Sequence, residues 1–465
     1  MTAGRRLWIA VAAIAAIGLA LRIAAAQGAL WLDEAWSAVQ AHDVGTPLGV
    51  FLKINHDNNH HLNTLWLQMV GLDTAPVVQR GLSILTGTAT VVVAALIGRR
   101  DGKAMALVAA LIFAISPLLV TYGSEARGYA PMVLALMVAV LLTARWLDDP
   151  AQRLPAIPLA LASLLGMASQ LTMAFGLAAM AVWIVLTLYR AYPLREAAGL
   201  SIRILLPLAL PALAMLALIL WAAGGHLQFG NVEAFAWRSW WNGIAQMASY
   251  WIDGILPLLF LLLLLNNWAE GALVPKAERK ELGFWLIALI LLPLGIALAH
   301  LPNSGAPRYH LVSGIGGLML IALLIARRLE WPGLARMMAC GALVIVTWFA
   351  LDKDYRLILD QRADPGRAIE AMRARAPAGA DIAPEQERAD AVLQAAALSS
   401  GYPLRIAGTP CPAPRFLFVD RDGSEAFPAE AIRCGSPYAP IAEAHPEGLS
   451  GTHWKLYERV DQDQR

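Results

Sequence analysis

The sequence predicts an all-α polytopic membrane bundle followed by a soluble α/β domain. Three observations predict it. The 465 residues are 58% hydrophobic and only 15% charged, where soluble domains run about 45–50% apolar and about 25% charged. Apolar runs of about 20 residues, long enough to cross a bilayer, recur from the start of the chain to Leu351. Beyond Leu351 the pattern stops and a polar stretch with Pro, Arg and Asp throughout takes over. The formal net charge of +2 does not point to a nucleic-acid partner.

About eleven spanning segments are expected, near 7–27, 76–98, 104–122, 130–147, 155–170, 172–189, 204–222, 251–266, 282–300, 311–326 and 334–351. Inside a bilayer each backbone polar group must be satisfied within its own segment, so these should be helices. The first, Leu7 to Ala26, has Arg22 as its one charge and lacks a clean cleavage site, so it reads as a retained helix rather than a signal peptide. Basic clusters alternate with bare loops. Arg5 and Arg6, then Arg99, Arg100 and Lys103, then Arg190, Arg195 and Arg203, then Lys276, Arg279 and Lys280, then Arg327, Arg328 and Arg336 all fall on one side of the membrane. The opposite loops hold mainly Lys53, Arg127, Arg238 and Arg308. By the positive-inside rule the N-terminus is cytoplasmic, and an odd number of helices puts the tail outside. The expected division is a membrane domain over 1–351 and an extracytoplasmic domain over 352–465. The tail is long enough for a small core and contains strand-like runs such as "RFLFVD" and "WKLYERV". Cys411 and Cys434 both lie in it. In an oxidising compartment they suggest a disulfide, against the alternative of two unrelated buried thiols.

The polar residues of interest gather on the outer side. "WLDEAWSA" places Asp33 and Glu34 just after the first helix. "INHDNNHHLNTLWLQ" holds His56, Asp57, Asn58, Asn59, His60 and His61. "VTYGSEARGYAPM" sets Glu125, Arg127 and Tyr129 between two apolar runs, and "NSGAPRYHL" puts Arg308, Tyr309 and His310 before the tenth segment. Each has a plain reading when taken singly. An acid pair after a helix can be a solvated loop, an arginine can snorkel to headgroups, and Trp31, Trp36, Trp237, Trp240, Trp241 and Trp251 can form an interfacial belt. His56 and His60 are spaced one helical turn apart and, with Asp57, form a possible ligand set for a divalent metal ion. Together the groups suit a different task. An acid can take a proton from a hydroxyl, and arginines can hold a lipid-linked phosphate as it leaves.

Four of these stretches resemble the motifs of the C-type fold of integral-membrane glycosyltransferases, in the branch related to protein O-mannosyltransferases and the lipid A aminoarabinose transferase. "LDEAWS" resembles the first-loop acidic motif. "NNHHLNTLWL" resembles the Asn/His–Pro–Leu–x–x–Leu segment, with His61 where proline is common. "YGSEARGYA" is similar to the motif between helices three and four, and "APRYHL" to the late Arg–Tyr motif. "ASQLTMAF" departs from relatives, which often carry a His–Tyr pair there. The resemblance implies an inverting transferase that uses an undecaprenyl- or dolichyl-phosphate sugar, a hexose or pentose, in the bacterial inner membrane. It implies Asp33 as the catalytic base. Glu34 and Glu125 would orient substrate or hold a metal where one is used, and Arg127 and Arg308 would meet the donor phosphate. Tyr129, Tyr309, Asn59, His60 and His61 are further candidates for substrate binding. The acceptor, whether lipid, polysaccharide or protein, is left open. A transporter or flippase of a lipid-linked sugar is the alternative. It also needs arginines, but it predicts polar groups deep in the helices and has no use for an acid pair at the rim.

The charge bias yields a topology test. A reporter fused after Arg465 is expected to be active outside the cytoplasm, and one fused near Lys276 inside it. A cytoplasmic C-terminus would split the motifs across the membrane and refute the arrangement.

Overall fold

The computed structural model describes residues 3–225, 227–228, 232–254, 256–269, 280–408, 411–422, 425–428 and 431–460. Lys276 and Arg279 of the expected basic clusters lie outside them. Every expected apolar segment is helical. Among the described residues eight helices are long and apolar enough to cross a membrane: Gly4–Ala25, Gly81–Asp101, Tyr129–Asp148, Met173–Ala191, Leu194–Ala222, Glu281–Leu298, Pro307–Leu329 and Leu334–Asp360. Lys103–Ile115 and Ala156–Ser169 are apolar but shorter, and Leu256–Ala269 spans 14 residues. Among the described residues eight of the expected eleven segments are thus long enough by themselves, and the other three are shorter apolar helices. One shortening has a clear cause. Ser116 precedes Pro117 and is extended (φ −63°, ψ 122°), which ends one helix and starts Pro117–Tyr122. The chain is a membrane protein whose outer helix faces carry exposed Ile17, Leu85, Leu161, Leu213, Leu294 and Trp348. Tyr129–Asp148 and Leu311–Leu329 are largely buried at its centre.

The break at Pro117 explains a buried arginine. Proline has no N–H, so the Phe113 carbonyl four residues earlier loses its helical donor. Arg22 of the first helix supplies one, with NH2 3.1 Å from Phe113 O and NH1 3.1 Å from Ala114 O. Gly87 and Gly123 leave it room, since a Cβ at either would come within 2.8 or 2.6 Å of Arg22 Nε.

The helix begun at Leu334 runs on to Asp360, past the compositional break. A six-stranded mixed sheet follows, ordered β2-β1-β3-β6-β5-β4, with β1 Ala380–Pro384, β2 Leu404–Ile406, β3 Phe416–Arg421, β4 Ala431–Arg433, β5 Ser436–Ala444 and β6 His453–Arg459. β1 pairs in parallel with β2 and β3, and the remaining pairs are antiparallel. The two strand-like runs of the sequence are β3 and β6, paired directly. Alternation splits β3 between two layers. Phe416 and Phe418 pack with Trp454, Leu456 and the helical Ile369, Met372 and Leu393. Leu417 and Val419 pack with Tyr438 and Tyr457. Cys411 and Cys434 form a disulfide, with Cα atoms 5.9 Å apart.

The sheet domain is locked to one end of the bundle. Gln361, Arg362 and Ala363 take left-handed φ values of 51°, 59° and 57°, which turns the chain back. The fully buried Arg362 donates to Ala25 O at 2.8 Å, Thr121 O at 2.9 Å and Ser124 Oγ at 2.8 Å. Its Nε lies 3.7 Å from Glu125 Oε1. Asp364 accepts from Ala29 N at 2.7 Å. Removing one partner of a buried ion pair costs about 3–5 kcal/mol. Arg362→Ala is expected to lower the thermal midpoint in detergent and to speed proteolysis between bundle and sheet domain. Unchanged proteolysis would show that Arg362 does not hold the two together.

Candidate functional site

Asp33 and Glu34 are neighbours in the first turn of the helix Leu32–Asp43, where acids offset the helix dipole. Adjacent helical residues point in different directions, and the two acids part company. Glu34 turns inward. Its Oε2 accepts from Trp31 N at 3.2 Å, closing the helix start. Arg80 grips it with Nε 2.9 Å from Oε1 and NH2 2.6 Å from Oε2. The other Arg80 donors cover the carbonyls of Ala26, Gln27, Gly28 and Ala29, where the first helix ends. Burial pushes the Glu34 carboxyl up, but Arg80 outweighs it and holds the carboxyl below its ordinary value. Both Glu34 oxygens are thus engaged in buried contacts, away from the cavity where a catalytic role was expected for it.

Asp33 faces the other way. Its Oδ2 pairs with Arg127 NH1, and Arg127 NH2 donates to Asn58 Oδ1 at 2.7 Å. Asn58 Nδ2 in turn donates to Asp33 O at 2.7 Å and to Ser37 Oγ at 3.0 Å. The Arg127 guanidinium lies 5.6 Å from the Trp31 ring centre and 5.1 Å from that of Tyr129, within cation–π range. Burial would weaken this cation, yet the Asp33 charge more than offsets it and raises its pKa above the ordinary arginine value.

The stretch that carries Arg127 is pinned on both sides. Ala126 N donates to Glu34 Oε1 at 2.6 Å, Asn63 Nδ2 to Ala126 O at 2.6 Å, and Ser83 Oγ to Arg127 O at 2.9 Å. A methyl at Gly128 would lie 1.7 Å from Ser169 O, so only glycine fits. Glu125, Arg127 and Tyr129 then serve three partners: Glu125 faces Arg362, Arg127 faces Asp33, and Tyr129 packs on Tyr122 with ring centres 4.6 Å apart. Burial pushes the Glu125 carboxyl up, against the pull of Arg362 and Arg127. Glu125 sits behind the site rather than in it.

A cavity of about 370 Å³ opens in front of Asp33 and Arg127. Arg308 lines it as well, held on the 3-10 turn Pro307–His310. Among the described residues Arg308 makes no hydrogen bond and no ion pair. Arg388 and Asp422 of the sheet domain complete the wall.

Four expected residues lie elsewhere. Tyr309 packs on Phe175, 5.7 Å between ring centres. Asn59 Nδ2 donates to Val50 O at 2.7 Å, and His61 stacks on Phe51 at 5.1 Å, its pKa pushed down to about 4 by burial. His60 Nδ1 accepts from Gly128 N at 2.8 Å, and its Nε2 lies 3.0 Å from Gln170 Nε2. Burial and the charges of Arg127 and Arg308 hold His60 well below its ordinary pKa, so it is neutral. These residues brace the loops around the cavity without lining it. The possible metal trio does not form either, because His56 Nδ1 lies 3.0 Å from Asp57 Oδ1 while both His60 nitrogens are engaged. Asp33, Glu34 and Glu125 each face an arginine. Among the described residues no three His, Cys, Asp or Glu side chains gather as ligands. Arg80, Asn58, Arg362 and Arg388 were not expected. Arg80 carried a signal, being a charge inside an expected apolar span.

No family model and no curated protein sequence matches the chain. Among solved structures it is similar to an oligosaccharyltransferase from Archaeoglobus fulgidus in complex with zinc and sulfate, at 13% identity and a TM-score of 0.44, over 88% of this chain and 68% of that one. It is also similar to the arabinofuranosyltransferase AftD from mycobacteria, at 15% identity and a TM-score of 0.44. There the match covers all of this chain and 40% of the other.

The two acids should respond differently to neutralisation. Glu34 is wholly buried, whereas the Asp33 side chain is 22% exposed. Glu34→Gln is expected to destabilise by about 3–5 kcal/mol, the cost of stranding a buried partner, and Asp33→Asn by clearly less. Equal losses in thermal midpoint would refute the division between structural and functional acid.

Proposed function

We propose that this chain is an integral-membrane glycosyltransferase of the C-type fold. It moves a sugar from a polyprenyl-phosphate donor to a hydroxyl of a lipid, glycan or protein. The reading adds that it sits in a bacterial inner membrane, with the N-terminus cytoplasmic and the cavity and sheet domain on the periplasmic side. The observation that carries the proposal is Arg308, a guanidinium with no ion pair among the described residues that lines the same cavity as the Asp33–Arg127 pair. Asp33, Glu34 and Glu125 already have arginine partners, and Arg308, without an ion pair among the described residues, is available to an anionic ligand. A planar guanidinium suits a phosphate.

The chemistry follows from that placement. The acceptor hydroxyl gives its proton to Asp33, whose Oδ2 is held by Arg127 while Oδ1 remains for the acceptor. The hydroxyl oxygen bonds to the anomeric carbon as the bond from that carbon to the phosphate oxygen breaks. The electron pair leaves on the phosphate, where Arg308 and Arg127 stabilise the growing charge. One displacement inverts the anomeric centre. The flanking arginines act in the transition state as well as in binding, so they contribute to rate and affinity together.

Purified protein in nanodiscs, given a panel of polyprenyl-phosphate sugars, provides the test. Arg308→Ala is expected to weaken donor binding by at least about tenfold, the scale of one charged hydrogen bond lost, and to slow turnover further. Arg308→Lys should recover part of the loss, because it restores charge without the planar fork. Asp33→Asn is expected to cost at least about 10²-fold in turnover with donor affinity much less affected. Normal donor affinity and rate in Arg308→Ala would remove the observation on which the reading stands.

A further inference from the structure

The cavity has a second wall, and it comes from the sheet domain. Arg388 sits in the short turn Glu387–Ala389 and is held from three directions. Its Nε donates to Asp420 Oδ2 at 2.6 Å, its NH1 pairs with Asp422, and its carbonyl accepts from Trp36 Nε1 at 3.0 Å. Its NH2 is buried without a hydrogen-bond partner among the described residues, an arrangement that costs free energy unless a ligand fills it. Trp36 lies three residues after Asp33 on the same helix, so the two share a face. The bond to Arg388 O fixes the indole orientation, and the ring lines the cavity with Arg388 and Asp422.

Resting on the transferase reading, we propose that Trp36, Arg388 and Asp422 form the acceptor subsite and that the acceptor is a saccharide. Two features select this class. A rigid guanidinium–carboxylate pair offers a donor beside an acceptor, the pattern that neighbouring ring hydroxyls satisfy from both sides. The Trp36 ring beside it gives the apolar face of a sugar something to lie on. The charge balance argues against an anionic headgroup or a second phosphate, because Asp420 and Asp422 already neutralise Arg388. Arg308, in the same cavity, has no such partner among the described residues. The two walls thus differ in kind. One is cationic and suits the donor phosphate; the other sets two carboxylates against one guanidinium, so it has no positive charge to spare and suits hydroxyls. Asp33 lines the same cavity. The subsite also accounts for the tight locking of the sheet domain, since a wall that slid would lose its register with the base.

Saturation-transfer NMR on the full chain in nanodiscs, with methyl mannoside, methyl arabinoside and methyl glucoside as probes, gives the direct test. A serine/threonine peptide and inorganic phosphate serve as comparisons. At least one glycoside is expected to receive magnetisation on its ring protons. Asp422→Asn and Trp36→Phe are each expected to weaken that binding by about tenfold, the scale of one strong polar contact. Asp422 is largely exposed, so its variant should fold. In transfer assays with polyprenyl-phosphate mannose the same variants should raise the acceptor KM about tenfold and the donor KM by less than about twofold. Binding of no glycoside, transfer to the peptide or to a diacylglycerol but to no glycoside, or unchanged glycoside affinity in both variants would overturn the proposal. Failure of the transferase reading looks different: glycosides bind, but no polyprenyl-phosphate sugar is turned over even to water. That result leaves the saccharide site standing.

Discussion

The buried pair of Glu34 and Arg80 is the constraint on which the site depends. It joins the end of the first helix, the start of the helix that carries Asp33, the approach to Gly81–Gly98 and the loop that carries Arg127. A pair with no exposure gains little net stability, because desolvation consumes most of the Coulomb attraction. What it secures is direction. With both Glu34 oxygens engaged, the helix cannot rotate without stranding a charge, and Asp33 one residue earlier is aimed at the cavity.

The same logic repeats along the buried end of the bundle. Glu34 faces Arg80, Asp33 faces Arg127, and Glu125 faces Arg362. Each acid comes from one segment and each base from another, so every pair ties together elements distant in sequence. Arg22 does a related task for neutral groups by serving the carbonyls freed at Pro117. Arg308 stands outside this scheme. A guanidinium without an ion pair among the described residues, in the same cavity as Asp33 and Arg127, is a natural place for an anion, which is why it bears more on function than the conspicuous acid pair does.

The sheet domain is part of the site rather than an appendage. Arg362 enters the bundle from its base, and Arg388 and Asp422 close the cavity from above the helix that carries Trp36. Trp36, which composition alone assigns to an interfacial belt, becomes a cavity wall through one hydrogen bond to this domain.

Much of the architecture was legible beforehand. Hydrophobic length and the compositional break define the helices and the α/β tail, because burial in lipid and alternation in a strand leave direct marks on residue order. The break at Leu351 did not mark the end of the last helix, since a helix can leave the apolar layer and continue in a polar sequence to Asp360. The cavity residues Asp33, Arg127 and Arg308 were legible as types: charges at membrane boundaries are too costly to be placed without reason. The separate fates of Asp33 and Glu34 were not. Adjacent acids look alike in a string of letters, and only the arrival of Arg80 on one side and Arg127 on the other distinguishes them. Asn59, His60 and His61 have a binding-site composition and become braces, because their nitrogens meet backbone and side chains brought in from elsewhere. By itself, then, the sequence determined the helical bundle, the presence of a second domain and the residue types available for chemistry. Tertiary structure alone decided which of those charges are paired and which one is left over, because pairing depends on distances between segments far apart in the chain.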